Sequence, residues 1–190
     1  MKKIIILIFL TTIFHTSSSQ NSSKLDEKYG FRNLKFETLI DSIKNLKLSD
    51  SIDENLKVYN LINEDLNVFD LKVQEILYTF YKNKLYRVTI ISKDVNNNWG
   101  FLNLLQKKYG LGKCIICPEK FVSLGIETDY GIYQWNGINT KLDYVYKDTQ
   151  ILNEDGSTLE PGAMIEIISK KIMKQQEKDV ENKLKKSKEF

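Results

Sequence analysis

The stretch Leu71-Lys72-Val73-Gln74-Glu75-Ile76-Leu77-Tyr78-Thr79-Phe80-Tyr81-Lys82-Asn83-Lys84-Leu85-Tyr86-Arg87-Val88-Thr89-Ile90-Ile91-Ser92 decides the fold. Both arms are rich in β-branched and aromatic side chains, which fit a pleated surface. Between them Lys82-Asn83-Lys84 supplies an asparagine that tolerates the positive φ of a tight turn. The stretch therefore reads as a hairpin of Leu71 to Tyr81 and Leu85 to Ser92. An odd-sum register puts Leu77, Thr79 and Tyr81 on one face with Tyr86, Val88 and Ile90. It puts Ile76, Tyr78 and Phe80 on the other with Leu85 and Ile91. Both faces are largely apolar, so the pair is expected at the centre of a sheet, covered on each side.

Working outward, a helix is expected after the caps Asn96 to Asn98, with a stripe of Phe101, Leu104 and Leu105 and with Gly110 as its left-handed stop. A second hairpin follows, Tyr130 to Trp135 and Ile138 to Tyr146, around Asn136-Gly137, the preferred type I′ pair. A two-residue turn there would set Trp135 against Ile138, Tyr133 against Thr140 and Gly131 against Leu142. Asp148 to Gly162 reads as a loop and Met164 to Ile168 as a last strand. Upstream, Phe31, Leu34 and Phe36 suggest a short extended entry. Leu39, Ile40, Ile43 and Leu46 suggest a helix from Thr38, and Leu56 to Ile62 a strand. The sum is an α+β domain, an antiparallel sheet of meander hairpins packed against two helices, followed by a charged C-terminal helix or tail. The order helix then meander occurs twice, without a residue-level repeat.

Met1 to Ser19 begins with Lys2-Lys3, runs apolar from Ile4 to Phe14 and ends in small residues before Gln20, the pattern of an export signal. The expected division is 1–19 signal peptide, 20–29 polar lead-in, 30–169 a single α+β domain and 170–190 charged tail. The protein is then periplasmic or secreted, with no transmembrane segment after signal cleavage. The signal holds His15, the only histidine, so the mature chain has no imidazole for catalysis or metal ligation. Its mature charge is 26 basic against 25 acidic residues, and Gln20 to Ser169 alone has 18 against 21. With Arg32 and Arg87 its only arginines, the chain does not suit nucleic acid. No residue set calls for a cofactor or a metal.

Cys114-Ile115-Ile116-Cys117-Pro118 is the one constellation with chemical potential. C-x-x-C can be a local disulfide, a pair of structural thiols or a redox dithiol. A straight strand holds residues i and i+3 about 10 Å apart, so a bridge requires a bend before Pro118. Glu119, Glu127, Asp129, Asp143, Asp148, Glu154, Asp155 and Glu160 could supply a catalytic carboxylate pair only if two faced each other across a cleft. Tyr133, Trp135, Tyr144 and Tyr146 read as core, and Trp99, at a helix start, as an exposed aromatic contact.

The blocks Gly30-Phe31-Arg32-Asn33-Leu34-Lys35-Phe36, Phe80-Tyr81-Lys82-Asn83-Lys84-Leu85-Tyr86 and Lys108-Tyr109-Gly110, with the downstream Trp135, resemble a broad group of small exported bacterial α+β proteins of unknown function. That group opens with F-x-G-[IL]-K-[FL]-G, continues with an F-x-N-K-L hairpin and a helix ending in K-Y-G, and then places a Trp strand. Asn33 and Glu37 stand here where the opening has glycines. More distantly, the helix-then-meander order is similar to the β-lactamase-inhibitor-protein fold and to small outer-membrane assembly lipoproteins, which bind other proteins. The expected function is an exported, non-catalytic binding or accessory domain of the bacterial envelope, its partner an unknown protein or envelope component. Two alternatives stand beside it: a thiol-redox accessory using Cys114 and Cys117, and a structural envelope protein with a surface-binding basic tail.

Overall fold

The computed structural model describes residues 19–118, 130–149, 151–152 and 158–187. Met1 to Ser18 of the expected signal lie outside the described residues, as do Glu119, Glu127, Asp129, Glu154 and Asp155. Eight strands form one antiparallel sheet: β1 (Leu46–Ser51), β2 (Leu56–Leu61), β3 (Glu75–Tyr81), β4 (Lys84–Ser92), β5 (Lys113–Ile116), β6 (Tyr130–Asn136), β7 (Thr140–Lys147) and β8 (Gly162–Ser169). Their spatial order is β1-β2-β3-β4-β8-β7-β6-β5. Two four-strand meanders thus meet through their last strands, and the order reads alike from either edge. Helix α1 (Ser19–Lys28) precedes the first meander and α2 (Asn98–Tyr109) the second, while α3 (Lys170–Ser187) follows both.

The central hairpin forms, closed by Lys82 and Asn83 with φ of 48° and 63°. Both central residues of this two-residue turn are left-handed, as type I′ geometry requires. The expected odd-sum register holds only next to the turn. Ile76 opposes Ile90 and Tyr78 opposes Val88, and the ladder slips between Thr79 and Phe80, so that Phe80 opposes Leu85. Tyr86 is the extra residue. This bulge lets Leu85, Val88 and Ile90 all point to the side of Ile76 and Tyr78, and the other side becomes polar along Arg87 and Thr89. The expected Leu71 start also fails, because Leu71–Lys72 pairs instead with Asn67–Val68 in a separate small hairpin.

The second hairpin is offset by four residues, with Trp135 opposite Leu142, Tyr133 opposite Tyr144 and Gly131 opposite Tyr146. The shift is even, so the expected faces of these residues survive, but Asn136-Gly137 is not a two-residue turn and Ile138 is exposed. The reason lies far away in sequence: the Asp26 carboxylate on α1 accepts hydrogen bonds from the backbone N–H groups of Ile138, Asn139 and Thr140 at 2.5, 2.9 and 2.8 Å. The turn from Gly137 to Thr140, the first residue of β7, presents all three donors to one anion. The stretch expected as a polar lead-in is therefore helical, held by Asp26 and by the buried Leu25.

No helix runs from Thr38. Glu37 N–H donates to the Leu85 carbonyl, Leu85 N–H to Thr38 and Ile40 N–H to Asn83, so the strand turn captures the backbone groups a helix would need. A 3₁₀ turn at Ile40–Ser42 is what remains, and Ile40, Ile43 and Leu46 still pack on the core. Strands β1 and β5 are not among the elements expected from sequence. Helix α2 forms as expected, with Phe101, Leu102, Leu105 and Tyr109 buried and Gly110 at φ 81°.

The core lies between the sheet and the layer of α1 and α2, where Ile76, Tyr78, Val88, Ile90, Leu142, Tyr144 and Ile165 meet Phe101 and Leu105. On the opposite side, among the described residues, the apolar cluster is the corner made by Tyr81, Tyr86 and Ile168, sealed by Ile172 of α3. The central strands are thus covered on one side and only partly on the other. No helix among the described residues is long and apolar enough to cross a membrane.

Candidate functional site

Two loop tips and two helix ends converge on one edge of the core. Phe31 and Arg32 sit at the turn between the short strands Gly30–Phe31 and Leu34–Lys35. Phe69 sits at the turn of the Asn67–Val68 hairpin, with φ of 54°. A bulky residue in the left-handed region is uncommon and costs about 1–3 kcal/mol where the surroundings impose it. Lys28 ends α1, and Lys108 with Tyr109 ends α2. Together they rim a cavity of about 230 Å³ whose inner wall is Ile90, Leu105, Leu142, Ile165 and Ile167.

Arg32 ties the two loops together. It pairs with the Glu64 carboxylate and donates to the carbonyls of Asp65 at 2.6 Å and Asn67 at 2.9 Å. Glu64 also accepts from the Tyr78 hydroxyl at 2.9 Å. Burial, and then this neighbouring carboxylate, push the Tyr78 phenol well above its ordinary value.

The other two cations are differently placed. Lys108 is half-buried, its ammonium 4.7 Å from the ring centre of Phe69 and 5.4 Å from that of Tyr109. Burial, and then repulsion from Lys28, hold its pKa below the ordinary lysine value. Neither Lys28 nor Lys108 has a carboxylate partner among the described residues. Tyr109 is buried as well, and its phenol is raised by that burial alone. Chemically, the arrangement can hold an apolar body against the inner wall and a negative charge at the rim.

The residues singled out in the sequence lie elsewhere. Cys114 and Cys117 have their sulfurs 2.05 Å apart and their Cα atoms 5.6 Å apart. Strand β5 ends at Ile116, so the chain leaves the straight path that would have separated them. Cys114 stands opposite Tyr133 on the sheet edge. Trp99 is 50% exposed in the first turn of α2 and leans on Tyr146 with ring centres 5.6 Å apart. Asp143 faces away from the helices, paired with Lys141 at 2.6 Å, and its cross-strand neighbour Glu166 is paired with Arg87 at 3.1 Å. These two carboxylates share an open sheet face, each with its own cation, and no cleft separates them. Asp148 accepts from Asn98 at 2.8 Å and so helps to fix the start of α2. No group of three or more acidic, Cys or His side chains placed to hold a metal ion occurs among the described residues.

Sequence reasoning did not single out Lys28, Phe69, Lys108 or Tyr109 as a site. A signal existed: Gly30-Phe31-Arg32 and Lys108-Tyr109-Gly110, read as structural blocks, meet in space at this cavity. A scan against protein-family models and searches of curated proteins and of solved structures found no match to this chain.

Proposed function

We propose that this chain is an exported, non-catalytic binding domain of the bacterial envelope, and that its ligand is a small molecule held in the cavity beneath Lys28, Arg32 and Lys108. The observation that carries the reading is a desolvated lysine without an acidic partner at the rim of an apolar cavity. Burying a cation without a counter-charge is unfavourable, and apolar cavities with a few convergent polar groups are the usual form of small-ligand sites. Export is supported by the Lys2-Lys3 start and apolar run ahead of Gln20. The wider set of partners, an envelope component or another protein, is compatible with the same domain.

Two measurements test it. Intact mass of the exported protein should place its N-terminus at or within a few residues of Gln20, and retention of Met1 to Ser19 would remove the export reading. Methyl NMR of Ile90, Ile165 and Leu142 during titration with a panel of neutral and charged single-ring and short-chain compounds should show saturable shifts. If no compound moves these methyls, the cavity is not a binding site.

A thiol-redox accessory is the second reading, favoured by the half-exposed setting of Cys114 and Cys117. Equilibration in glutathione buffers decides it: a reduction potential more oxidising than about −200 mV belongs with catalytic pairs, and one below about −300 mV with structural bridges.

A further inference from the structure

We propose that the cavity ligand is a small monocarboxylate, a single ring or a short acyl chain, with its apolar body on Ile90, Leu142 and Ile165 and its carboxylate held by Lys108, with Lys28 lending a second, weaker attraction. This rests on the small-molecule reading of the cavity and specifies what fills it.

Size sets the body. A cavity of about 150 Å³ accommodates benzene, so one of about 230 Å³ has room for a ring and a few further atoms, or for a chain of similar bulk. It is too small for a two-chain lipid or a peptide.

Charge sets the head. Arg32 is already engaged by Glu64 and by two backbone carbonyls, which leaves the two lysines. Lys108 is half-buried against Phe69 and Tyr109 and Lys28 is exposed. Each lies in the last turn of its helix, where part of a cation's field is spent on the negative end of the helix dipole. The net positive potential at the rim is therefore modest, enough for one negative charge rather than two. The rim has no free guanidinium fork of the kind that suits a phosphate. Tyr109 lines the same cavity, and its hydroxyl has no partner among the described residues, so it can donate to the second carboxylate oxygen.

The experiment is isothermal titration of the whole exported protein with phenylacetate and hexanoate, each set against its neutral amide, and with phenyl phosphate as the dianion. The methyl shifts of Ile90 and Ile165 report where each probe binds. The acids should bind at least about tenfold more tightly than the amides, the worth of one charge-assisted hydrogen bond. Lys108→Gln should bring the acids down to the affinity of the amides without changing the amides, and Lys28→Gln should weaken the acids by about two- to threefold. A melt with the wild-type midpoint certifies each variant as folded. As a second variant, Ile165→Phe should fill the cavity and abolish acid and amide binding together.

Equal binding of acid and amide would overturn the carboxylate assignment while leaving the cavity as a small-molecule site. Tighter binding of phenyl phosphate than of phenylacetate would overturn the single-charge assignment. Absence of methyl shifts with every probe would remove the cavity reading itself, and this inference with it.

Discussion

The side of the sheet that faces α1 and α2 carries nearly all the buried apolar side chains, whereas among the described residues the apolar cluster of the other side is the corner where Ile172 meets Tyr81, Tyr86 and Ile168. Beyond that corner the second side has a polar band, with Arg87 paired to Glu166 at 3.1 Å and Lys141 to Asp143 at 2.6 Å, and next to it a half-buried cross-strand row of Ile91, Met164, Val145 and Ile132. Alternation along β4, β7 and β8 produces this difference: Val88, Leu142 and Ile165 point one way, and Arg87, Asp143 and Glu166 the other. The candidate site lies where the packed layer ends, so its walls are rigid core while its rim is made of loop tips and helix ends.

Truncating one residue on each side should break or sustain this contrast with the largest effect. Leu105 is fully buried in the helix layer, and Leu105→Ala should cost about 2–5 kcal/mol by urea unfolding. Ile172→Ala opposite should fall at or below the lower end, about 2 kcal/mol, because the small corner can relax around it. Equal losses would mean that the two sides are energetically alike.

Next in size is the link between α1 and the β6–β7 loop. Asp26→Ala leaves three backbone donors without their anion. Charge-assisted bonds are worth about 1.5–3 kcal/mol each when nothing replaces them, but these donors lie near solvent and water can take over. The expected loss is about 1–3 kcal/mol, with hydrogen exchange at Ile138 to Thr140 speeding more than exchange in β3 or β4. An unchanged melt would show that α1 is not coupled to the second meander.

The same two regions explain what was legible in the sequence. The existence of β3, β4, α2 and β8 was local information: β-branched runs, a turn asparagine, a capped apolar stripe and a stop glycine. The register of β3 and β4 was not, because a single bulged residue, Tyr86, reverses the parity of everything beyond it. Helix α1 was hidden because its ten residues are mostly polar, and one of its anchors, Asp26, acts through partners more than a hundred positions away. The segment from Thr38 had helical spacing and lost to hydrogen bonds offered by the β3–β4 turn. The cavity draws on residues 28–32, 67–69 and 105–109 and on three strands, and no window of sequence brings those together. The C-x-x-C pair was visible, yet its geometry depended on where β5 ends.

The disulfide should matter less than either contrast above. It closes a loop of only two intervening residues on a strand paired on one side, so Cys114→Ser with Cys117→Ser should cost under about 2 kcal/mol. The melt should stay cooperative under reductant, with faster hydrogen exchange confined to β5 and its neighbour β6. Collapse of the whole transition would show the edge to be integral to the core.

The smallest effect belongs to the outer part of α3, the charged segment expected as a C-terminal helix or tail, which is a helix. Asp179 accepts from the Tyr81 hydroxyl at 2.8 Å and from the Lys82 ammonium at 2.6 Å, so the helix is tied to the β3–β4 turn. Deleting Lys174 to Phe190 keeps Ile172 in place and should lower the melting temperature at neutral pH by no more than about 3 °C. The increment has a pH signature. Lys82, and then Tyr81, hold the Asp179 carboxyl below the ordinary range. Its contribution is therefore present above the unfolded value of about 3.9 and lost as pH falls through the lower folded value. Tyr81 moves the opposite way, raised to about 12 by burial first and by Asp179 second. Its contribution is present below about 10 and lost as pH rises toward the folded value. The difference between the full chain and Asp179→Asn should then be bell-shaped in pH and should shrink in high salt, as an exposed ion pair does. A difference that is flat from pH 2 to 11 would mean that α3 is held by its first turn, through Ile172, Met173 and the contacts of Lys170 and Lys171, and the Asp179 tether would have to be dropped.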